Sequence, residues 1–224
     1  MIDQIRERAE EMRARLRAAA ERAGRDPDGF QIVAVTKGFG IDVARAALDA
    51  GLTRLGENRV QEALPKVAAL PDAEWHLVGR LQRNKARKAL SAFAVVHSVD
   101  SIELLRRLAD EAMRAGLAPR LLLEVNVSGE LTKAGFDPVR LEEVAPALSD
   151  RVVGLMTMAR HQADEAEQRR TFATLRVLRD RLQESSGIAL PELSMGMSRD
   201  AEAAVAEGAT LVRIGTALFG PRPG

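Results

Sequence analysis

The order of apolar runs along this chain constrains its fold more than any single residue does. After an opening amphipathic segment, eight short runs read as strands: "QIVAVT", "RLGE", "EWHLV", "AVVHS", "RLLLEVNV", "RVVGLMTM", "ELSM" and "LVRIG". Each is followed by a helical stretch, among them "IDVARAALDAG", "QRNKARKAL", "DPVRLEEVAPAL" and "SRDAEAAVAEG". The runs are apolar almost throughout, as strands are when helices cover both faces of a sheet, and no Asn-Gly hairpin signal separates them. Parallel pairing follows. Eight strand and helix units of roughly 25 residues suit a closed barrel. The competing open sheet loses its main support because neither a Gly-x-Gly-x-x-Gly nor a Walker pattern follows the first strand. The expected fold is α/β, a single (β/α)8 TIM-type barrel domain over residues 1–224 with an extra N-terminal helix. In that helix Ile2, Ile5, Ala9, Met12, Leu16 and Ala19 or Ala20 recur at gaps of three and four, up to Gly24 and the breaker "DPDG".

Composition removes several classes of function. With 33 basic and 32 acidic residues the net charge is +1, so there is no global attraction to nucleic acid or to an anionic membrane. The absence of cysteine rules out disulfides and thiolate chemistry. No apolar run approaches the roughly 20 residues that span a bilayer, and "MIDQIRERAEEMRARL" lacks a signal-peptide core, which makes the cytoplasm the expected compartment. There is no tyrosine, so a tyrosine general acid is excluded.

The first strand ends on an amine, in "QIVAVTKGFG". Side chains alternate along a strand, so Val33, Val35 and Lys37 share one face and Ile32, Ala34 and Thr36 the other. Barrel enzymes place their chemistry at the C-terminal ends of the strands, where Lys37 stands. By the same alternation Leu211, Arg213 and Gly215 share a face of the last strand, the neighbour of the first in a closed barrel. Barrels also seat phosphate on the loops after strands seven and eight. "SMGMSRDAEAAVAEG" offers Ser198 as the N-cap of a helix, and "RIGTALFG" offers Gly215 and Thr216. An amine, a phosphate cup and a facing arginine together suit pyridoxal phosphate, an aldehyde with a phosphate tail.

Five ordered motifs, "VAVTKG", "GENRVQEAL", "EWHLVGRLQRNK", "SMGMSRDAEAAVAEGAT" and "VRIGTALFG", resemble those of the pyridoxal phosphate homeostasis proteins. That family is similar in barrel architecture to the N-terminal domain of alanine racemase, a fold-type III pyridoxal phosphate barrel. The resemblance covers essentially the whole chain. It implies that Lys37 holds the cofactor as a reversible Schiff base, that Arg213 meets the pyridine nitrogen, that Ser198, Gly215 and Thr216 seat the phosphate, and that Asn58 lines the ring. Arg80 stands where the family usually has proline. Lys133 occupies a family-like loop position near the pocket mouth, and Met156 and Met195 are read as core filler rather than ring contacts.

An arginine at the pyridine nitrogen is a poor proton donor and makes the ring a weak electron sink. With no tyrosine as second acid or base, and with the chain ending at "GPRPG" as the barrel closes, the cofactor face is expected to be open. The implied function is a non-catalytic carrier or buffer in vitamin B6 homeostasis, exchanging cofactor with apo-enzymes. A racemase-like enzyme, with His97 or His161 as the missing acid or base, would show α-proton exchange. A cofactor-free Schiff-base aldolase would be colourless. The histidines His76, His97 and His161 lack metal-ligand spacing. "GRLQRNKARKAL", without interleaved aromatics, reads as a solvated face rather than a nucleic-acid surface. A monomer is expected.

Overall fold

The computed structural model describes residues 1–130 and 134–222; Lys133 lies outside them. The chain opens with α1 (Ile2–Arg22), followed by β1 (Gln31–Val35), α2 (Ile41–Asp49), β2 (Arg54–Glu57), α3 (Val60–Ala69), β3 (Glu74–Leu77), α4 (Ala86–Leu90), β4 (Val95–Val99) and α5 (Ile102–Ala115). The second half comprises β5 (Arg120–Glu124), β6 (Val152–Met156), α6 (Glu165–Ser186), β7 (Glu192–Met197), α7 (Ala201–Ala206), β8 (Leu211–Ile214) and α8 (Thr216–Phe219). All eight strands pair in parallel and in sequence order, and β1 closes on β8 with Val33 opposite Arg213. The TIM-type barrel read from the alternation of runs is the architecture observed.

Two apolar layers hold it together. Val33, Val95, Leu122, Met156 and Leu211 fill the interior, whereas Ile32, Ala34, Leu121, Leu123, Leu193 and Val212 face the helices. This is the period-two alternation of a strand buried on both faces. Met195 belongs to the outer layer and Met156 to the inner one, so both are core, as the sequence suggested. α1 buries Ile5, Ala9, Met12, Leu16, Ala19 and Ala20, but Ile2 is exposed because the helix has barely begun there. It packs on α2, α7 and α8, at the seam where β1 meets β8.

Three local expectations are corrected. "DPVRLEEVAPAL" forms 3-10 turns over Pro138–Ala147 rather than an α-helix. Pro146 has no N–H for an α-helical bond and its ring disfavours the α region in the residue before it. "QRNKARKAL" divides into a 3-10 turn, Arg83–Lys85, and the short α4. Ser198 does not cap α7. The cap position belongs to Asp200, whose Oδ1 instead accepts from Met197 N at 2.6 Å and folds the β7–α7 loop back on itself.

Candidate functional site

The C-terminal ends of the strands open into a cleft of about 870 Å³ that is lined by Lys37, Asn58, Ser198, Arg213, Gly215 and Thr216 together. These residues come from the loops or ends of β1, β2, β7 and β8, and the closed barrel brings them onto one mouth.

Lys37 stands there because the chain turns immediately after it. Gly38 adopts φ +77°, a conformation in which a side chain is strained, and Phe39 N donates back to Thr36 O at 3.1 Å. The residue before the lysine is clamped from behind. Lys66 Nζ donates to the Thr36 carbonyl at 3.0 Å and to Glu57 Oε1 at 2.6 Å, and Thr36 Oγ1 donates to the same Glu57 oxygen at 2.6 Å. The Lys37 amine is half-buried, and its pKa falls below the ordinary lysine value. Desolvation is the largest cause, followed by the nearby charges of Arg222 and Arg213, with Glu57 opposing. A lowered pKa raises the share of neutral amine, the form that attacks a carbonyl.

Asn58 is half-buried beside Gly79, which lies so near that a Cβ there would overlap the Asn58 backbone. The Gly79 carbonyl is held by Ser98 Oγ at 2.7 Å. Across the cleft, Ser198 Oγ accepts from Gly215 N at 3.3 Å and Ala217 N at 3.4 Å, so the loops after β7 and β8 form one polar cup. The Ser198 hydroxyl thus gathers the Gly215 and Ala217 amides in place of the helix cap expected from sequence.

Arg213 is buried inside the barrel. Its Nη1 donates to the Ser194 carbonyl at 2.8 Å and to Ser194 Oγ at 2.5 Å, and its Nη2 donates to the Thr157 carbonyl at 2.8 Å. A guanidinium has five N–H groups, so those on Nε and one on Nη2 remain for the cleft. Burial lowers its pKa to about 10, against the attraction of Asp200 and Glu124, and it therefore stays charged at neutral pH.

His97 does not face the cleft. It is fully buried within the barrel and bonded to His76 and Ser194, which removes it as an acid or base at this mouth. His161, by contrast, is exposed and lines the cleft. Arg80 is on the rim, paired with Asp100 at 3.4 Å. The methionines that reach the cleft are Met158 and Met197, not Met156 or Met195. Sequence reasoning misses the Glu57–Lys66 clamp, the His76–His97 contact and Arg222. Strand parity puts His76 and His97 inward but does not give their contact, and Lys66 lies on α3, so its pairing with Glu57 depends on how that helix packs. Among the described residues no cluster could hold a metal ion, and no helix is long and apolar enough to cross a membrane.

The buried histidines carry a pH dependence. Burial lowers the pKa of His76 and of His97, so the unfolded chain binds more protons than the folded one below the ordinary histidine range. Their contribution to stability is full above about pH 6.5 and is lost as the pH falls beneath it. Glu74, held at about 2 chiefly by its hydrogen bond from His76, loses its own contribution only as the pH drops from the usual carboxylate range toward that value. Thermal melts should therefore show Tm declining below about pH 6.5, well before carboxylates titrate. A flat profile down to carboxylate pH would contradict the neutral, buried state of both rings.

Over residues 8–223 the chain matches the family described as alanine racemase, N-terminal domain. It is 41% identical over 222 residues to the pyridoxal phosphate homeostasis protein of Aquifex aeolicus (strain VF5), covering 96% of this chain and 97% of that one. To the protein of the same name from Pseudomonas aeruginosa it is 45% identical over 225 residues, covering 97% and 96%. Among solved structures it resembles PipY of Synechococcus elongatus PCC7942 with PLP bound, at a TM-score of 0.85 and 42% identity, covering 96% of this chain and 100% of that one.

Proposed function

The chain belongs to the pyridoxal phosphate homeostasis proteins, within the alanine racemase N-terminal domain family, and on that footing we propose that it binds pyridoxal 5′-phosphate reversibly and without catalysis. The observation that carries this reading is the meeting of three chemistries in one cleft. An amine of lowered pKa, Lys37, shares it with the Ser198, Gly215 and Ala217 cup and with Arg213, two of whose N–H groups make no hydrogen bond to a described residue. That donor set fits an aldehyde, a phosphate and a ring nitrogen. The cofactor supplies an aldehyde that a lysine amine can join and leave again.

Each residue then has one task. Lys37 offers the amine. Ser198, Gly215 and Thr216 receive the phosphate, with amides and hydroxyls in place of a lysine charge. Arg213 donates to the ring nitrogen and, being charged, leaves it unprotonated. Asn58 lines the ring from the β2 side.

The absence of tyrosine and the burial of His97 favour a carrier over a racemase. A racemase needs an acid or base on each face of the substrate carbon. Exposed His161 remains as one candidate, held by no hydrogen bond to a described residue that would aim it. A carrier that delivers to apo-enzymes suits a wide mouth. The compartment proposed is the cytoplasm and the state a monomer.

Titration of the purified protein with pyridoxal phosphate, followed by visible absorption, is the test. A saturable band reaching one cofactor per chain is expected, reversed on dialysis against a competing amine. The loaded protein should leave the α-proton of added amino acids unexchanged in heavy water. No band overturns cofactor binding, and exchange overturns the non-catalytic role.

A further inference from the structure

The barrel interior contains a polar construction that the cleft chemistry does not explain. Glu74 and His76 from β3, His97 from β4, Ser194 from β7 and Arg213 from β8 form an unbroken hydrogen-bonded column. Glu74 Oε1 meets His76 Nε2 at 2.9 Å, His76 Nδ1 meets His97 Nε2 at 2.8 Å, and His97 Nδ1 meets Ser194 Oγ at 2.8 Å. Ser194 Oγ then accepts from Arg213 at 2.5 Å. The column begins at the opposite end of the barrel from the cleft, where Arg54 and Arg120 pair with Glu74 at 3.1 and 2.5 Å.

The two ends fix its direction. A guanidinium only donates and a carboxylate only accepts. Ser194 Oγ, already accepting from Arg213, turns its own O–H onto Nδ1 of His97. His97 must then carry its proton on Nε2 and donate to Nδ1 of His76, which in turn carries its proton on Nε2 and donates to Glu74. Both rings are neutral and of one tautomer, in keeping with the downward pKa shifts that burial gives them. Arg120 opposes a charge on either ring, as do Arg54 at His76 and Arg213 at His97. Buried polar groups in such a series are stable only when every member is satisfied. The adjoining interior positions, Val33, Val95 and Leu122, show that this space could have been filled with apolar side chains.

We infer that His76 and His97 are positioning residues for Arg213. Their column holds Ser194 as an acceptor and so fixes the plane in which the guanidinium presents its remaining N–H groups to the cleft. Without His97 the Ser194 hydroxyl has no acceptor at that side and rotates, and Nη1 keeps only the Ser194 carbonyl as a fixed partner. The inference rests on the cofactor reading for its consequence, but not for the column itself.

Two measurements separate these. Nitrogen-resolved NMR of the histidine rings in cofactor-free protein should show His76 and His97 as neutral Nε2–H tautomers at neutral pH. An Nδ1–H tautomer or a charged ring at either position overturns the column. Equilibrium dialysis should then show that His97→Leu weakens pyridoxal phosphate binding about tenfold, the scale of one hydrogen bond to a charged group. His97→Gln, whose carboxamide can both accept and donate, should restore affinity to within about threefold. In an Arg213→Leu background His97→Leu should add nothing. An equal loss in both backgrounds, or none in either, overturns the positioning role. If His97→Leu does not fold, Ser194→Ala cuts the same column at its other junction and carries the same expectations. Failure of the parent to bind cofactor sinks the cofactor reading, while the ring tautomers still decide the column.

Discussion

Lys37→Ala should abolish the saturable visible band that pyridoxal phosphate gives with the parent at about one cofactor per chain. Among the described residues Lys37 is the lysine that lines the cleft. Binding itself should persist, more weakly, because the Ser198 and Gly215 cup and the Arg213 donors are untouched. Fold stability should change by less than about 0.5 kcal/mol, since the half-buried amine has its pKa lowered by desolvation and forms no ion pair in the described structure. Absorption titration alongside urea denaturation reads both quantities. A band that survives the substitution would remove Lys37 as the attachment point. A lost band with a collapsed fold would instead make the lysine structural.

Lys66→Met should have the largest effect on stability, about 3–5 kcal/mol, the usual consequence of stranding one partner of a buried ion pair. Lys66 and Glu57 are almost wholly buried at 2.6 Å, and Glu57 Oε2 already lacks a hydrogen-bond partner. Loss of the ammonium would leave a carboxylate in the layer between sheet and helices with only the Thr36 hydroxyl to satisfy it. The double variant Lys66→Met, Glu57→Leu should recover most of the loss, because an apolar pair of similar volume avoids desolvation of both charges. Urea midpoints for the single and double variants decide this. A single variant within about 1 kcal/mol of the parent would show that Glu57 takes up a proton at little cost or finds water. The clamp also holds the carbonyl of Thr36, so the single variant should blur the position of Lys37 and weaken its adduct, whereas Lys37→Ala leaves the clamp intact.

The two substitutions show where the sequence was legible. Period-two alternation assigns Val33, Val35 and Lys37 to one face without any coordinates, because a strand that keeps its twist has no other way to place them. The β8 residues Leu211 and Arg213 follow by the same rule, and closure of the barrel makes them neighbours of β1. Ser198 lies in the β7–α7 loop that its sequence context indicates, but its hydroxyl partners the β8 loop and not the helix. A serine three residues before an alanine-rich run satisfies the capping pattern, yet the turn that Asp200 closes moves the helix start and turns the hydroxyl to the β8 loop. His76 and His97 read as isolated because their separation in sequence carries no information about adjacent inward positions on neighbouring strands.

By itself, then, the order of residues determined the barrel, its extra first helix and the convergence of Lys37 with Arg213, since all three follow from local periodicity and from the short reach of the connections. Tertiary structure alone decided the Glu57–Lys66 clamp, the column from Glu74 to Arg213 and the amides gathered by Ser198. Those contacts join residues up to 97 positions apart in single hydrogen bonds, and a hydrogen bond is specified by distance and direction, which only the closed barrel supplies.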